Sequence, residues 1–201
     1  MFKRFRNGNY YFAVIFIFLS HWALAGGAFE NGGCLIAGPE DAKLTIEEFA
    51  DFECSYCAKG AKVMEQVLKE YAGKVKLVFR NRPLDFHAMA LPAAKAMSAV
   101  CLQDPAKAYT FQSEIFKNQE KFKNEGESYL FEMADKLGIN IPKMKDDFNS
   151  VKVSELIEQD RKRADELNVK GTPGFKIGSA SIMGAYPFEE FKKVIDKQLE
   201  E

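Results

Sequence analysis

The sequence has few histidines, tryptophans and cysteines, and almost no net charge. Its 201 residues include two histidines, one tryptophan and four cysteines. Basic and acidic side chains nearly cancel to a formal net charge of -1, so the composition indicates no nucleic-acid partner. The chain shows no internal repeat, which argues against a repeat array. Its length suits one domain, or one domain with an insertion.

Acidic residues are absent from the first 25 positions. Three basic residues open the chain, an apolar run follows them, and Ala23-Leu24-Ala25 matches a cleavage pattern. This arrangement predicts a signal peptide at residues 1–25 and a periplasmic protein. The alternative is an uncleaved anchor that would keep the protein membrane-anchored and extracytoplasmic, because residues 7–29 are uncharged and could reach across a bilayer.

Export would place the four cysteines in an oxidising compartment, where disulfides persist. Cys54 and Cys57 form a Cys-x-x-Cys pair, which leaves Cys34 and Cys101. These two could form a structural disulfide, or they could be two separate free thiols. The sequence leaves both alternatives open because spacing does not give connectivity.

The Cys-x-x-Cys pair lies where a predicted strand, residues 43–49, is followed by a helical pattern, residues 58–71. At such a junction the pair is a redox signature. The unpaired N–H groups and the dipole of a helix N-terminus favour negative charge, so we expect Cys54 to have a lowered pKa and to attack as a thiolate. Two cysteines alone are a poor zinc set, so no metal is expected.

Glu48 falls on the apolar face of that strand. By the two-residue period it shares this face with Leu44 and Ile46. One interpretation is a carboxylate that lies in water at the end of the strand. The other is a buried acid with a raised pKa that relays protons to the second cysteine.

A second strand is predicted at residues 75–80, and with the first strand and the helix it forms a right-handed strand–helix–strand unit. Helical patterns fill most of the chain after it. They are predicted over residues 87–102, 105–121, 128–137, 142–149, 152–168 and 187–200. The charged run Asp160-Arg161-Lys162-Arg163 is interpreted as a solvated helix face and not as a binding patch.

A proline turn precedes the last predicted strands. Pro173 follows Thr172 between two glycines, and X-Pro bonds are the only common site of a cis peptide. The residues after it predict a hairpin with Gly178 and Ser179 in its turn.

With its predicted strands, helices and proline turn in this order, the chain resembles the DsbA-like thiol–disulfide oxidoreductases over about residues 36–200. The resemblance is carried by the segments 48–57, 80–84 with His87, and 171–175. It implies an α/β, thioredoxin-like fold with an inserted α-helical domain. The implied division is a signal peptide at 1–25, an N-terminal lead-in at 26–42, a thioredoxin-like domain at 43–82 and 151–201, and a helical insertion at 83–150.

The resemblance also implies roles for individual residues. Cys54 would be the nucleophile that forms a mixed disulfide with a client, and Cys57 the buried resolving cysteine. Glu48 would be the buried proton relay. His87 is expected to be a surface or helix-start histidine that has no part in the Cys-x-x-Cys site.

Four residues would contact the substrate chain. Pro173 would be a cis-proline facing the cysteine pair, and Thr172 would offer backbone hydrogen bonds. Ser55 and Tyr56 lie between the cysteines, where the best-known oxidases of the family carry Pro-His. Tyr56 offers a hydroxyl but no charge, so strong oxidising power does not follow from the motif alone.

The leading prediction is an exported dithiol oxidase that introduces disulfides into exported proteins. A quinone-linked membrane partner of the DsbB type would reoxidise it, and no metal or organic cofactor is expected. A monomer is expected. The alternatives are a disulfide reductase or isomerase of exported clients, and a non-catalytic thioredoxin-fold chaperone that binds peptides.

Overall fold

A mixed sheet forms the centre of the computed structural model, which describes residues 29–30 and 33–201. The predicted signal peptide at 1–25 lies outside these residues. In the described part of the chain the strands are β1 (Phe29–Glu30), β2 (Gly33–Ala37), β3 (Leu44–Ala50), β4 (Val75–Asn81), β5 (Gly174–Ile177) and β6 (Ala180–Met183). Their order across the sheet is β1-β2-β4-β3-β5-β6.

The predicted strand–helix–strand unit is at the middle of this sheet. β3 and β4 pair in parallel, and the other strand pairs are antiparallel. Nearly every residue of these two strands is buried, as expected for strands that are covered on both faces. The predicted lead-in at 26–42 contains β1 and β2, and β2 pairs with β4.

Eight helices surround the sheet in the described residues. They are α1 (Ser55–Glu70), α2 (Ala90–Gln103), α3 (Pro105–Lys117), α4 (Gln119–Glu125), α5 (Glu127–Lys136), α6 (Ile141–Phe148), α7 (Val151–Glu166) and α8 (Phe188–Glu200). None of these helices combines the length and the apolar character that a membrane span requires.

Two helix boundaries differ from the sequence prediction. The helix predicted over residues 105–121 is broken at Asn118, whose backbone leaves the helical conformation. Its side-chain amide donates to the Glu114 carbonyl at 2.9 Å, beside its own backbone N–H at 3.2 Å. The helix predicted from residue 87 begins at Ala90. Pro92 thereby falls in the first turn, where a missing N–H costs nothing.

The prediction of a solvated face at residues 160–163 is wrong for Asp160. This side chain is 1% exposed and accepts a hydrogen bond from the Asn81 N–H at 2.8 Å. It also pairs with the buried Arg80 at 3.2 Å. A charge run on a helix is usually solvated, but this acid faces an arginine on β4 that satisfies it.

A disulfide between Cys34 and Cys101 joins β2 to α2, and both residues are buried. Of the two alternatives that the sequence left open, the structure therefore contains the disulfide. It connects the sheet to the first helix of the predicted insertion.

Candidate active site

The two cysteines of the Cys-x-x-Cys pair lie at the start of α1 and differ in exposure. Cys54 is the N-cap residue, with an extended backbone and partial exposure, whereas Cys57 is fully buried in the first turn. Both are free thiols. No side chain caps α1, so the N–H groups of its first turn remain available to the Cys54 sulfur.

These surroundings shift the pKa values of the two cysteines in opposite directions. The Cys57 thiol donates to the Cys54 sulfur and, with the backbone N–H groups of Tyr56 and Cys57, lowers the pKa of Cys54 to about 5 against an opposing effect of burial. Burial raises the pKa of Cys57 well above its usual value. At neutral pH the site therefore holds a thiolate at Cys54 and a thiol at Cys57.

The proline turn lies directly beside this pair. The Thr172–Pro173 peptide bond is cis, and the Cys54 thiol lies 3.5 Å from the Thr172 carbonyl oxygen. Gly60 permits this closeness, since a Cβ there would come within 3.4 Å of the Pro173 ring and 3.0 Å of Phe175. Residues of this turn and of the end of β6 line an open groove.

The residues between the cysteines face solvent. Ser55 is exposed, and the Tyr56 side chain is 60% exposed next to Cys54. The Lys59 ammonium lies 4.8 Å from the centre of the Tyr56 ring. Both side chains are therefore open to a molecule that approaches Cys54.

Glu48 is completely buried in the sheet. Its neighbours at the same register are Phe79 on β4 and Phe175 on β5. The Gln112 amide of α3 donates to one carboxyl oxygen at 3.2 Å, and within the described residues the other oxygen has no hydrogen-bond partner. Burial raises the pKa of Glu48 to about 8, so this carboxyl carries a proton at neutral pH.

Asp51 is a part of the site that the sequence interpretation missed. Its buried carboxylate accepts hydrogen bonds from the N–H groups of Glu53 and Leu84, each at 2.8 Å, and lies 2.9 Å from the His87 Nδ1. The Asp51 N–H lies 3.4 Å from the Cys57 sulfur. Contrary to expectation, His87 is thus one residue removed from the redox pair.

Gln119 is a second residue of the site that no sequence pattern indicated. It opens α4, directly after the break at Asn118. Its amide donates to the Phe52 carbonyl at 2.8 Å and to the Cys54 carbonyl at 2.9 Å. The helical segment between β4 and α7 therefore holds the backbone of the motif. Gln119 lies there because the helix breaks before it, and hydrophobic periodicity does not predict such a break.

Comparison with known proteins gives consistent matches. A family model described as thioredoxin matches residues 30–197. A probable disulfide bond formation protein D from Bacillus cereus is 32% identical over 169 residues, which cover 81% of this chain and 77% of that protein.

Two solved structures are similar in fold. The thiol-disulfide exchange protein α-DsbA2 from Wolbachia pipientis has a TM-score of 0.72 and 25% identity, covering 80% of this chain and 84% of that one. Oxidised BdbD from Bacillus subtilis has a TM-score of 0.74 and 24% identity, covering 85% of this chain and 94% of that one. These matches confirm the predicted thioredoxin-like fold.

Proposed function

Because this chain belongs to the thioredoxin family and is a DsbA-like thiol–disulfide oxidoreductase, we propose that it works outside the cytoplasm as a dithiol oxidase for exported proteins. The observation that carries the proposal is the acidity of Cys54, whose pKa is lowered to about 5. A thiolate stabilised in this way stabilises the reduced protein, and a stabilised reduced form makes the disulfide a stronger oxidant.

The reaction begins with the Cys54–Cys57 disulfide. A client thiolate attacks the Cys54 sulfur, the Cys54–Cys57 bond breaks, and a mixed disulfide forms between Cys54 and the client. A second client thiolate then attacks the client sulfur of this bond and releases Cys54 as a thiolate. The client loses two electrons to the cysteine pair and leaves with a new disulfide.

The two cysteine sulfurs differ in whether they need a proton when they leave a disulfide. Cys57 must take up a proton when it leaves, because burial raises its pKa well above the usual value. We assign delivery of this proton to Glu48, which is protonated at neutral pH and shares its register with Phe175, whose ring faces Gly60 of α1. Cys54 needs no proton, since its thiolate is stable at neutral pH.

The client chain would bind beside Cys54 in the groove next to the cis-proline. The Thr172 carbonyl, 3.5 Å from the Cys54 sulfur, is placed to accept a backbone hydrogen bond from an extended chain once the mixed disulfide forms. Pro173 would form the wall of this groove. Ser55 and Tyr56 would contact the client from the opposite side, because both are exposed.

Three features support work outside the cytoplasm. The first 25 residues have the basic start, apolar run and cleavage pattern of a signal peptide. The buried Cys34–Cys101 disulfide is of the kind that persists in oxidising compartments. The similar protein from Bacillus cereus is named for disulfide bond formation.

Repeated turnover requires an electron acceptor. The reduced cysteine pair would pass its two electrons to a quinone-linked membrane protein of the DsbB type. The cysteines themselves carry the electrons, so the proposal includes no metal or organic cofactor. One chain contributes every residue named above, and the proposed active unit is a monomer.

The redox equilibrium with glutathione tests the direction of the reaction. We expect a potential more oxidising than that of protein disulfide isomerase, which is about -180 mV. A potential near that of thioredoxin, about -270 mV, would overturn the oxidase proposal and favour a reductase.

A trapping experiment tests the role of each cysteine. The Cys57→Ser variant cannot form the Cys54–Cys57 disulfide, but its Cys54 thiolate can attack a client disulfide and release one client thiolate. It should accumulate the resulting mixed disulfides, because no Cys57 sulfur is present to displace the client from Cys54. The Cys54→Ser variant should trap none. Full client maturation by Cys54→Ser would instead favour a chaperone that binds peptides without redox chemistry.

A further inference from the structure

Asp51 contacts both cysteines of the redox pair through its backbone. Its N–H lies 3.4 Å from the Cys57 sulfur, and its carbonyl accepts the Cys54 N–H at 3.1 Å. A rotation of this one residue would therefore move the N–H beside the Cys57 sulfur and the carbonyl that holds the Cys54 backbone. The reactivity of the two cysteines therefore depends on the orientation of Asp51.

The side chain of Asp51 fixes that orientation. It is fully buried and is held by the N–H groups of Glu53 and Leu84 and by the His87 ring. Within the described residues, His87 is the side-chain hydrogen-bond partner of this carboxylate. Two of these donors belong to the loop between β4 and α2, so Asp51 joins that loop to the motif.

The chemistry of the contact defines which atom carries the hydrogen. A carboxylate that already accepts two N–H groups acts as an acceptor, so the His87 Nδ1 must be the donor, whether the ring is neutral or charged. The His87 N–H is itself bonded to the Leu84 carbonyl at 3.0 Å, and the Phe86 ring packs edge-on against the imidazole at 4.5 Å between centroids. The donor is thus held in place by its own loop.

We propose that His87 is a positioning residue for the redox reaction: its hydrogen bond to Asp51 orients the residue that contacts both cysteines and makes the pair more oxidising. The inference rests on the proposed redox function of Cys54 and Cys57. His87 touches neither sulfur, so it acts only through Asp51.

The direction of the effect follows from electrostatics. Without the His87 donor, a buried carboxylate near the start of α1 loses one of its three hydrogen bonds, and its negative charge is less compensated. A negative charge disfavours a second one nearby, so the Cys54 thiolate becomes less stable. The reduced protein is then less favoured, and the pair becomes a weaker oxidant.

The test compares variants that differ in the donor at this position. His87→Ala and His87→Leu remove it, and Leu retains side-chain volume in case the Ala variant folds poorly. His87→Asn places an amide N–H where the Nδ1 was, without the ring. Asp85→Asn is the matched control, because it changes a 98% exposed side chain of the same loop.

The readouts are the glutathione equilibrium constant and the pH titration of the Cys54 thiolate absorbance, both measured on the full chain. We expect His87→Ala and His87→Leu to shift the equilibrium constant about tenfold towards the oxidised protein, or about 30 mV more reducing, and to raise the Cys54 titration midpoint. His87→Asn and Asp85→Asn should stay close to the wild type.

Two results would overturn the inference. One is a wild-type potential in both donor-free variants. The other is a His87→Asn variant that shifts as far as His87→Ala, because the hydrogen bond would then not be the cause. A wild-type protein that fails to exchange with glutathione would instead contradict the proposed function, before any His87 variant is compared.

Discussion

Two cysteines that are separated by only two residues have opposite acid–base behaviour in this site. The difference arises from burial and from hydrogen bonds, and the hydrogen bond from the Cys57 thiol is the largest influence that lowers the pKa of Cys54. The family's best-known oxidases use a histidine between the cysteines, which is absent here. The Ser-Tyr dipeptide therefore does not prevent an acidic Cys54.

The first prediction concerns this hydrogen bond. Alkylation of reduced protein by iodoacetamide should be half-maximal near pH 5 and should modify Cys54, because Cys57 stays a thiol. Cys57→Ala should move the midpoint upward by at least one pH unit, since the donor is lost. Cys57→Ser keeps a hydroxyl donor and should move it less. Equal midpoints in the wild type and Cys57→Ala would show that the donor is not responsible.

At the scale of secondary-structure elements, two of the connections between the rest of the fold and the helices from β4 to α7 differ in kind. The Cys34–Cys101 disulfide joins β2 to α2, and Gln119 at the start of α4 bonds to the motif backbone. One connection is covalent and distant from the motif in sequence. The other is a pair of neutral hydrogen bonds at the active site.

The second prediction concerns the disulfide. Its cysteines are 67 residues apart, so Cys34→Ala with Cys101→Ala should lower the free energy of unfolding by about 2–4 kcal/mol in urea denaturation. In a Cys54→Ala, Cys57→Ala background this disulfide is the only one possible, and a reductant should then cause a similar loss. An unchanged denaturation midpoint after reduction would contradict the prediction.

The third prediction concerns Gln119. Replacing it with Leu removes two hydrogen bonds and should cost about 1–2 kcal/mol of stability, and amide exchange over residues 52–57 should become faster. Gln119→Glu, which has no N–H to donate, should cost at least as much. Glu120→Gln serves as the control, because that side chain is 88% exposed. Unaltered exchange in Gln119→Leu would rule out a holding role for this side chain.

At the scale of the whole molecule, buried acids make stability depend on pH. Burial raises the pKa of Glu48 to about 8 and that of Asp160 to about 7. Each group therefore binds a proton more readily in the folded than in the unfolded protein. By linkage, the free energy of unfolding should fall as pH rises from about 4 to about 8.

The fourth prediction follows from this dependence. Oxidised protein should lose stability in urea between pH 5 and pH 8, and Glu48→Gln should reduce the loss by about 2–4 kcal/mol because its side chain does not titrate. In the reduced protein the lowered pKa of Cys54 acts in the opposite direction, adding stability as pH rises above about 5. Identical pH dependence in wild type and Glu48→Gln would contradict a proton held at Glu48.

Local patterns predicted much of the fold. The strand, Cys-x-x-Cys helix and second strand, together with most of the later helices, were predicted because each has a periodicity that lies within a few turns of chain. The same reasoning placed Glu48 on an apolar face and Pro173 in a tight turn, because the deciding information is carried by neighbouring residues. That Pro173 faces the cysteine pair was implied only by the resemblance to the DsbA-like oxidoreductases.

Contacts between distant positions left no such pattern. Asp160 was misjudged because its partner Arg80 is 80 positions away, and His87 because its partner Asp51 is 36 positions away. From sequence alone, a charged side chain is predicted to lie in water, because its buried partner is not known. The break at Asn118 was missed for another reason, since an amide that bonds to the preceding turn does not disturb the hydrophobic period.

The position of β3 between β4 and β5 has a consequence for the order in which the protein is made. The Cys54 thiol and the Thr172 carbonyl are 118 positions apart, and β5 follows directly after the turn that contains Thr172. A nascent chain that emerges N-terminus first carries both cysteines long before it carries the cis-proline turn. The wall that Thr172 and Pro173 form beside Cys54 is therefore added only when β5 docks onto β3, long after the cysteine pair itself has been made.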